Sequence, residues 1–347
     1  MASAAPSPVT TAVGAGGQGE GRQEELIGVD LGGTAIKLGR YRSDGHCLAE
    51  LERPTPQPST PGAVTMALVE AITALDPEHR AARVGIGLPG PSDAAGRVAR
   101  IAINLAGWRE VPLAAWLEPQ LRRRVILAND ANCALLGEQW LGAARGAADV
   151  LLLTLGTGVG GAVLLGGRLF TGHGGAAAEP GLIGVDPDGP PCHSGNRGSL
   201  EQYGSIRGLA RLSPLPPQEL CRRAEAGDPE ARAVWGAYGR WLGIGLSSLI
   251  YLFTPERVLL GGGLSAGFDH FLPAVWVMGP SSQAVQRQPH RPQPAGAIAQ
   301  GAALNRQPLP AHRQHPRLDL RPHRRQEVVE AGAQATPQQH PLGGEQV

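Results

Sequence analysis

The strongest constraint on the fold is a local design that occurs twice. Ile27-Gly28-Val29-Asp30-Leu31-Gly32-Gly33-Thr34 and Leu151-Leu152-Leu153-Thr154-Leu155-Gly156-Thr157-Gly158-Val159-Gly160-Gly161 each run from a β-prone apolar stretch into a glycine turn that carries a threonine. Turns that lack Cβ atoms let backbone N–H groups approach an anion closely, and the hydroxyl adds a donor. That is a way to hold phosphate. One such turn is a weak signal, because glycine turns after strands are common; two of them, about 120 residues apart, predict two related half-domains facing one nucleotide. The 347 residues are enough for about two domains with cores of their own.

The formal charge of +1 argues against nucleic acid as a main partner. Lys37 is the single lysine, three residues after Thr34, where a cation suits phosphate oxygens; a solvated strand lysine is the alternative. Cys47, Cys133, Cys192 and Cys221 form no C-x-x-C pair, which predicts reduced thiols and the cytoplasm. The first residues, Met1-Ala2-Ser3-Ala4-Ala5-Pro6, have neither the early positive charge nor the apolar run of a signal peptide. The uncharged run 150–167 approaches membrane-spanning length, but Gly156, Gly158, Gly160 and Gly161 interrupt it, so it reads as a buried hairpin and no membrane association is expected.

Along the chain, residues 1–23 hold almost nothing large enough to bury and are expected to be disordered, and too few to form a DNA-binding helix-turn-helix. An N-terminal α/β domain is expected over 24–127 and a C-terminal one over 128–275. In the first, a strand from Leu26 leads into a hairpin through Ile36–Tyr41 with Ser43-Asp44-Gly45 at its turn. Val64, Leu68, Val69 and Ile72 give Pro61–Leu75 helical spacing, which Asp76-Pro77 ends. Arg83–Leu88 is a strand that empties into Pro89-Gly90-Pro91, and Val125-Ile126-Leu127 is a strand that runs into Asn129-Asp130-Ala131-Asn132 and a helix from about Ala131. Gly166-Gly167 marks a hairpin turn. Asp228-Pro229-Glu230 opens a helix that reaches Phe253, and Arg257–Leu260 is a strand ending on Gly261-Gly262-Gly263. The segment 276–347 is different: no aromatic follows Trp276, half of the ten histidines fall there, and Pro, Gln, Arg and His dominate. It cannot bury enough apolar surface to offset its ordering entropy and is read as low-complexity and unstructured. The abrupt change is the composition expected of GC-rich DNA read in a shifted frame, which comparison of the three frames past codon 274 tests.

With both loops, Asn129-Asp130 and the Gly261 turn in place, the chain resembles the ROK family, and within it bacterial glucokinase-type sugar kinases. The resemblance runs from about Leu26 to Phe271. Its markers are Asp30-Leu31-Gly32-Gly33-Thr34, Gly85-Ile86-Gly87-Leu88-Pro89-Gly90-Pro91, Asn104-Leu105 before Gly107-Trp108, Asn129-Asp130-Ala131-Asn132, Leu155–Gly161, Gly195-Asn196-Arg197-Gly198 before Leu200-Glu201, and Gly261-Gly262-Gly263. It implies the actin-like, ribonuclease H-like α/β kinase fold: two duplicated domains around a central cleft. It also implies Asp130 as general base, taking the proton from a sugar hydroxyl that attacks the γ-phosphorus of ATP. By itself an aspartate before a helix is more often an N-cap. By the same resemblance Asn104, Asn129, Glu179 and Glu201 hold sugar hydroxyls. Gly32, Gly33, Thr34, Lys37, Gly156, Thr157, Gly158 and Gly262 line the nucleotide, and Asp30 helps to place Mg²⁺. Implied partners are a sugar, ATP with Mg²⁺, and a second copy of the chain in a homodimer.

The chain departs from the pattern at the structural zinc that many ROK kinases hold with one histidine and three cysteines. Aligned on Glu179 and Glu201, the histidine position is Leu182 and the cysteine positions are Cys192, Ser194 and Ser199. Leucine cannot ligate, serine hydroxyls are poor zinc donors, and His193 would have to rearrange to help, so no zinc is expected. Leu182 also removes a sugar contact, and Pro180 adds a backbone constraint to that loop. The leading expectation is therefore phosphorylation of a hexose, glucose first. The alternative is a degenerate, non-catalytic sugar-binding protein with an impaired zinc loop and an incomplete C-terminal domain.

Overall fold

The computed structural model describes residues 24–102, 104–278 and 285–287, the last three and Met278 by backbone alone. The expectations for 1–23 and for 288–347 lie outside the described residues, all of which fall in one compact unit.

The first sheet is built from β1 (Glu25–Leu31), β2 (Ala35–Arg42), β3 (Cys47–Pro54), β4 (Ala81–Leu88) and β7 (Arg124–Asn129), with α1 (Pro61–Leu75), the ribbon β5 (Ala99–Ile101) and β6 (Arg109–Val111), and α2 (Leu113–Leu121) between them. Its spatial order is β3-β2-β1-β4-β7. The first three strands form an antiparallel meander, and β4 and β7 add parallel to β1. Central parallel strands are covered on both faces, and β4 accordingly buries five consecutive residues, Val84–Leu88. Helix α1 forms where its pattern predicts: Thr60 caps it by accepting from Ala63 N–H, Pro61 occupies the first turn, and Val64, Leu68, Ala71, Ile72 and Leu75 face the sheet. Asp76 ends the helix and is wholly buried, holding Arg40 at 2.8 Å and Arg123 at 2.9 Å.

After α3 (Asp130–Leu141) the second sheet repeats the plan with β8 (Val150–Leu155), β9 (Val159–Leu165), β10 (Arg168–Leu169), then α4 (Leu200–Gly204), α5 (Ile206–Leu212), α6 (Pro217–Glu225), α7 (Pro229–Phe253), β11 (Arg257–Gly261), α8 (Phe268–Met278) and β12 (Val285–Arg287). The order β10-β9-β8-β11-β12 is again an antiparallel meander followed by two parallel strands. The twofold design read in the glycine turns is thus a twofold design of the sheets. Asp228 caps α7 through Glu230 and Ala231 N–H, and Thr254 ends it with a left-handed φ of 41°. Its buried face carries Trp235 and Tyr238 onto Phe271 of α8, at ring-centroid distances of 6.0 and 5.3 Å. Each such aromatic pair adds about 0.5–1.5 kcal/mol beyond its area.

Two details differ from the sequence reading. Helix α3 begins at Asp130 itself, with Asn129 as its cap. And β12 stands inside the segment expected to be unstructured, pairing in register with Val258–Leu260. Its three residues have no strand pattern of their own; the open edge of β11 supplies the partners, a non-local cause that composition cannot report.

Candidate active site

Both sheets deliver their loops at the C-terminal ends of parallel strands, the usual place for a site in such a fold. In the first, Gly32 N–H donates to Ala35 O at 2.9 Å and closes the turn. Two residues that the sequence reading passed over hold it: Thr55 Oγ1 donates to Gly32 O at 2.7 Å, and Gln57 Nε2 to Gly33 O at 3.1 Å. Thr34 is left exposed at the tip. Lys37 lies directly across the ladder from Asp30, so both side chains share a face of the sheet. Burial raises the pKa of Asp30 and the Lys37 charge opposes that rise. Asn104 is brought against this loop, its Cβ standing 3.3 Å from where a side chain on Gly33 would begin. Ser59 anchors the Asn104 loop by accepting from Ala106 N–H at 3.0 Å and, through its carbonyl, from Trp108 Nε1 at 2.8 Å.

The second loop folds on itself through Gly156 N–H to Gly158 O at 3.0 Å and leaves Thr157 exposed. Glu201, in the first turn of α4, reaches it: Val159 N–H donates to Glu201 Oε2 at 3.1 Å, and a Cβ on Gly158 would lie 2.4 Å from that oxygen. The phosphate-type turn and the expected sugar carboxylate are therefore one unit. Gly262 follows β11 with φ 87° and ψ 176°, a conformation open almost only to glycine, and its Cα lies so close to β8 that a Cβ would sit 2.4 Å from Leu155 O. The Gly262 turn is locked onto the base of the Gly156 loop.

Asp130 stands where β7 of the first sheet becomes α3, a helix whose Ala134, Leu135 and Leu136 enter a core shared with β8 and β9 of the second. Asn129 does the capping, its Oδ1 accepting from Ala131 N–H at 2.9 Å and Asn132 N–H at 3.4 Å. Asp130 is thereby freed from that task, though one carboxylate oxygen also accepts Ala131 N–H at 2.7 Å. Asp130 is exposed to solvent. Loss of hydration raises its pKa; the Ala131 N–H opposes this, and the Asp30 charge adds to it. The pKa of Glu179 is raised by burial, then by Asp130 and by Glu201. Four expected site residues are thus linked pairwise, Asp30 with Asp130 and Glu179 with both Asp130 and Glu201, and they come from both halves of the duplicated fold. Such clusters of perturbed carboxylates are characteristic of functional sites.

The positions aligned with the family's zinc ligands are Leu182, Cys192, Ser194 and Ser199. Leu182 occupies a short 3₁₀ turn whose Pro180 packs against Gly161, and Ser194 and Ser199 turn hydroxyls toward Cys192. The loop is shaped by its own hydrogen bonds, including Cys192 N–H to Asn196 O at 2.8 Å and Val185 N–H to Gly198 O at 2.8 Å. Burial raises the Cys192 pKa, but the polar groups of Ser194, Ser199 and Gln202 close to the sulfur outweigh it and hold the thiol below its ordinary value. His193, expected to need rearrangement, already lies 3.8 Å from the Cys192 sulfur.

The ROK family model matches residues 26–303. The chain belongs to the ROK family. The match passes Phe271, where the sequence motifs end, and takes in part of the segment read as unstructured. The chain is 36% identical over 261 residues to the glucokinase of Thermotoga maritima, covering 70% of this chain and 82% of that one. It is 35% identical over 256 residues to the N-acetyl-D-glucosamine kinase of Escherichia coli O157:H7, covering 69% of this chain and 84% of that protein. The ROK glucokinase of Streptomyces griseus, solved with glucose and AMPPNP, superposes with a TM-score of 0.66 at 33% identity, over 80% of this chain and 98% of that one. The fold is the actin-like two-domain fold of ROK sugar kinases.

Proposed function

We propose that this ROK protein is an ATP-dependent sugar kinase that phosphorylates the terminal hydroxyl of a hexose, and that the hexose is glucose. The observation that carries the reading is Asp130: a carboxylate at the junction of the two sheets, with a raised pKa, beside Asp30 and Glu179. In the proposed mechanism Asp130 accepts the proton of the hydroxyl that attacks the γ-phosphorus, a task typically worth 10²–10⁴-fold in rate. Asn104, Asn129, Glu179 and Glu201 orient the sugar through paired donors and acceptors, Asn129 using its amide N–H because its oxygen is committed to the helix cap. The turns at Gly32, Gly33 and Thr34 and at Gly156, Thr157 and Gly158, with Gly262 and Lys37, receive the phosphates. ATP supplies the transferred phosphoryl group, and Mg²⁺ neutralises charge on it. The mutual repulsion of Asp30 and Asp130 is the kind of charge excess that a divalent cation relieves, which fits Asp30 as the residue that places Mg²⁺.

A resident zinc is not part of this reading, since Leu182, Ser194 and Ser199 do not form its ligand set and the loop closes through its own backbone. The non-catalytic alternative is not favoured, because both glycine turns and the carboxylate cluster are intact. We read the protein further as a cytoplasmic enzyme of two domains, 24–127 and 128–275, hinged at the site. Purified protein with ATP, Mg²⁺ and glucose is expected to release ADP above an Asp130→Asn control, and equal rates in the two proteins would discard Asp130 as the base. The same assay with N-acetylglucosamine, mannose and fructose tests glucose as the sugar.

A further inference from the structure

Beside Glu201 lies a set of donors that phosphoryl transfer leaves unused. The sulfur of Cys192, a ring nitrogen of His193 and a carboxylate oxygen of Glu201 all lie within 4.8 Å of one another. His193 Nδ1 is 3.8 Å from the sulfur and 3.3 Å from Glu201 Oε1. Donors bound to a single tetrahedral zinc-class ion at ordinary bond lengths stand about 3.5 Å apart for sulfur and nitrogen and about 3.3 Å for nitrogen and oxygen. The two separations that His193 makes thus already stand close to those of such a tetrahedron.

Two of the three are held in place. Cys192 is fixed by the 192–196 turn, through its N–H to Asn196 O and Gly195 N–H to its carbonyl at 3.0 Å, and Glu201 is anchored through Oε2 by Val159 N–H. His193 is the accessible member, its side chain 57% exposed, so an ion can enter and leave. Thiol, imidazole and carboxylate together suit Zn²⁺ or Co²⁺ and not Mg²⁺, which demands oxygen ligands.

We propose that Cys192, His193 and Glu201 form a three-ligand site for a zinc-class divalent cation, and that filling it competes with sugar. The competition rests on the reading of Glu201 as a sugar ligand: an ion on Oε1 takes up the negative charge and the position that would otherwise receive a sugar hydroxyl. Such an ion is a reversible inhibitor and not a structural element. It shares only Cys192 with the ligand positions that the family resemblance points to.

The test uses the full chain, freed of metal and without ATP, so that the triphosphate does not chelate the ion. Titration with Co²⁺ alone is expected to give a thiolate-to-cobalt absorption band. The band is lost in Cys192→Ser, and the Co²⁺ affinity falls by about tenfold or more in the exposed-site variant His193→Ala, with circular dichroism unchanged. Saturating glucose raises the Co²⁺ concentration needed, and Zn²⁺ weakens glucose binding measured by calorimetry. Absence of the band, its survival in Cys192→Ser, or a Co²⁺ titration indifferent to glucose in protein that binds glucose would each overturn the proposal. A metal-free protein that binds no glucose overturns the sugar assignment and the competition with it, while the cobalt band still decides the ligand set.

Discussion

Replacing Gly158 by alanine should disable sugar binding from within a loop that was read as a nucleotide contact. Neither Gly158 nor Gly156 has a left-handed φ, so the backbone tolerates alanine at both, and only the surrounding space distinguishes them. At Gly158 the new Cβ would stand 2.4 Å from Glu201 Oε2, about 1 Å inside normal contact; at Gly156 nothing lies within 4 Å. The Glu201 carboxylate can swing away, but in doing so it gives up the bond from Val159 N–H. A hydrogen bond to a charged group contributes about 1.5–3 kcal/mol, so the KM for sugar should rise about 10- to 150-fold in Gly158→Ala. Coupled detection of ADP, titrating sugar at saturating ATP and then ATP at fixed sugar, separates the two constants. Gly156→Ala serves as the matched control and should leave the sugar KM within about twofold. The reasoning is refuted if both variants raise it equally, or if Gly158→Ala changes only the KM for ATP.

Asp130→Asn should lower kcat by about 10²–10⁴-fold while the far-ultraviolet circular dichroism stays native. In the unmodified enzyme kcat should fall on the acid side with a limb displaced above the ordinary aspartate range, since the pKa is raised and the base works only when ionised; a pH–rate profile reads this. The same raised pKa means that the ionised form is penalised in the folded state above the unfolded pKa. Asp130→Asn should therefore raise the melting temperature at neutral pH as it removes activity, which thermal unfolding checks. Asp76 has the opposite sign: burial raises its pKa, but N–H groups of Ala81 and Arg80, then Arg40 and Arg123, lower it overall. Its stabilisation is present above the unfolded pKa near 4 and lost as pH falls through the folded value, so Asp76→Asn should cost about 3–5 kcal/mol in urea unfolding at pH 7 and flatten the loss of stability below about pH 4.

The parts of this molecule that were legible in the sequence are those fixed by neighbours along the chain. Pro61–Leu75 and Pro229–Phe253 carry their caps, first-turn prolines and apolar stripes within a few residues of one another, and both helices have those limits in the structure. The paired glycine turns likewise foretold a paired topology. What sequence could not convey depends on residues brought together from afar. Glu201 meets Val159 across 42 positions, and Gln57 meets Gly33 across 24. Thr55 and Gln57 stood in a Pro-rich stretch after β3, where nothing marked them as supports of the first turn. The strand at Val285–Arg287 owes its existence to a neighbouring edge, and the approach of His193 to Glu201 depends on how the intervening loop folds back.

Between Asn129, the last residue of β7, and Asp130, the first of α3, there is no linker at all. In the hinged reading proposed above, rotation of one half passes to the other through this peptide bond, and the carboxylate sits on that axle. Inserting one residue there would give the joint slack and swing the acid about 100° around its helix, whereas an insertion at the exposed tip Gly166-Gly167 would be absorbed by solvent-facing chain. Tolerance to changes in length should accordingly be lowest where the chain is straightest.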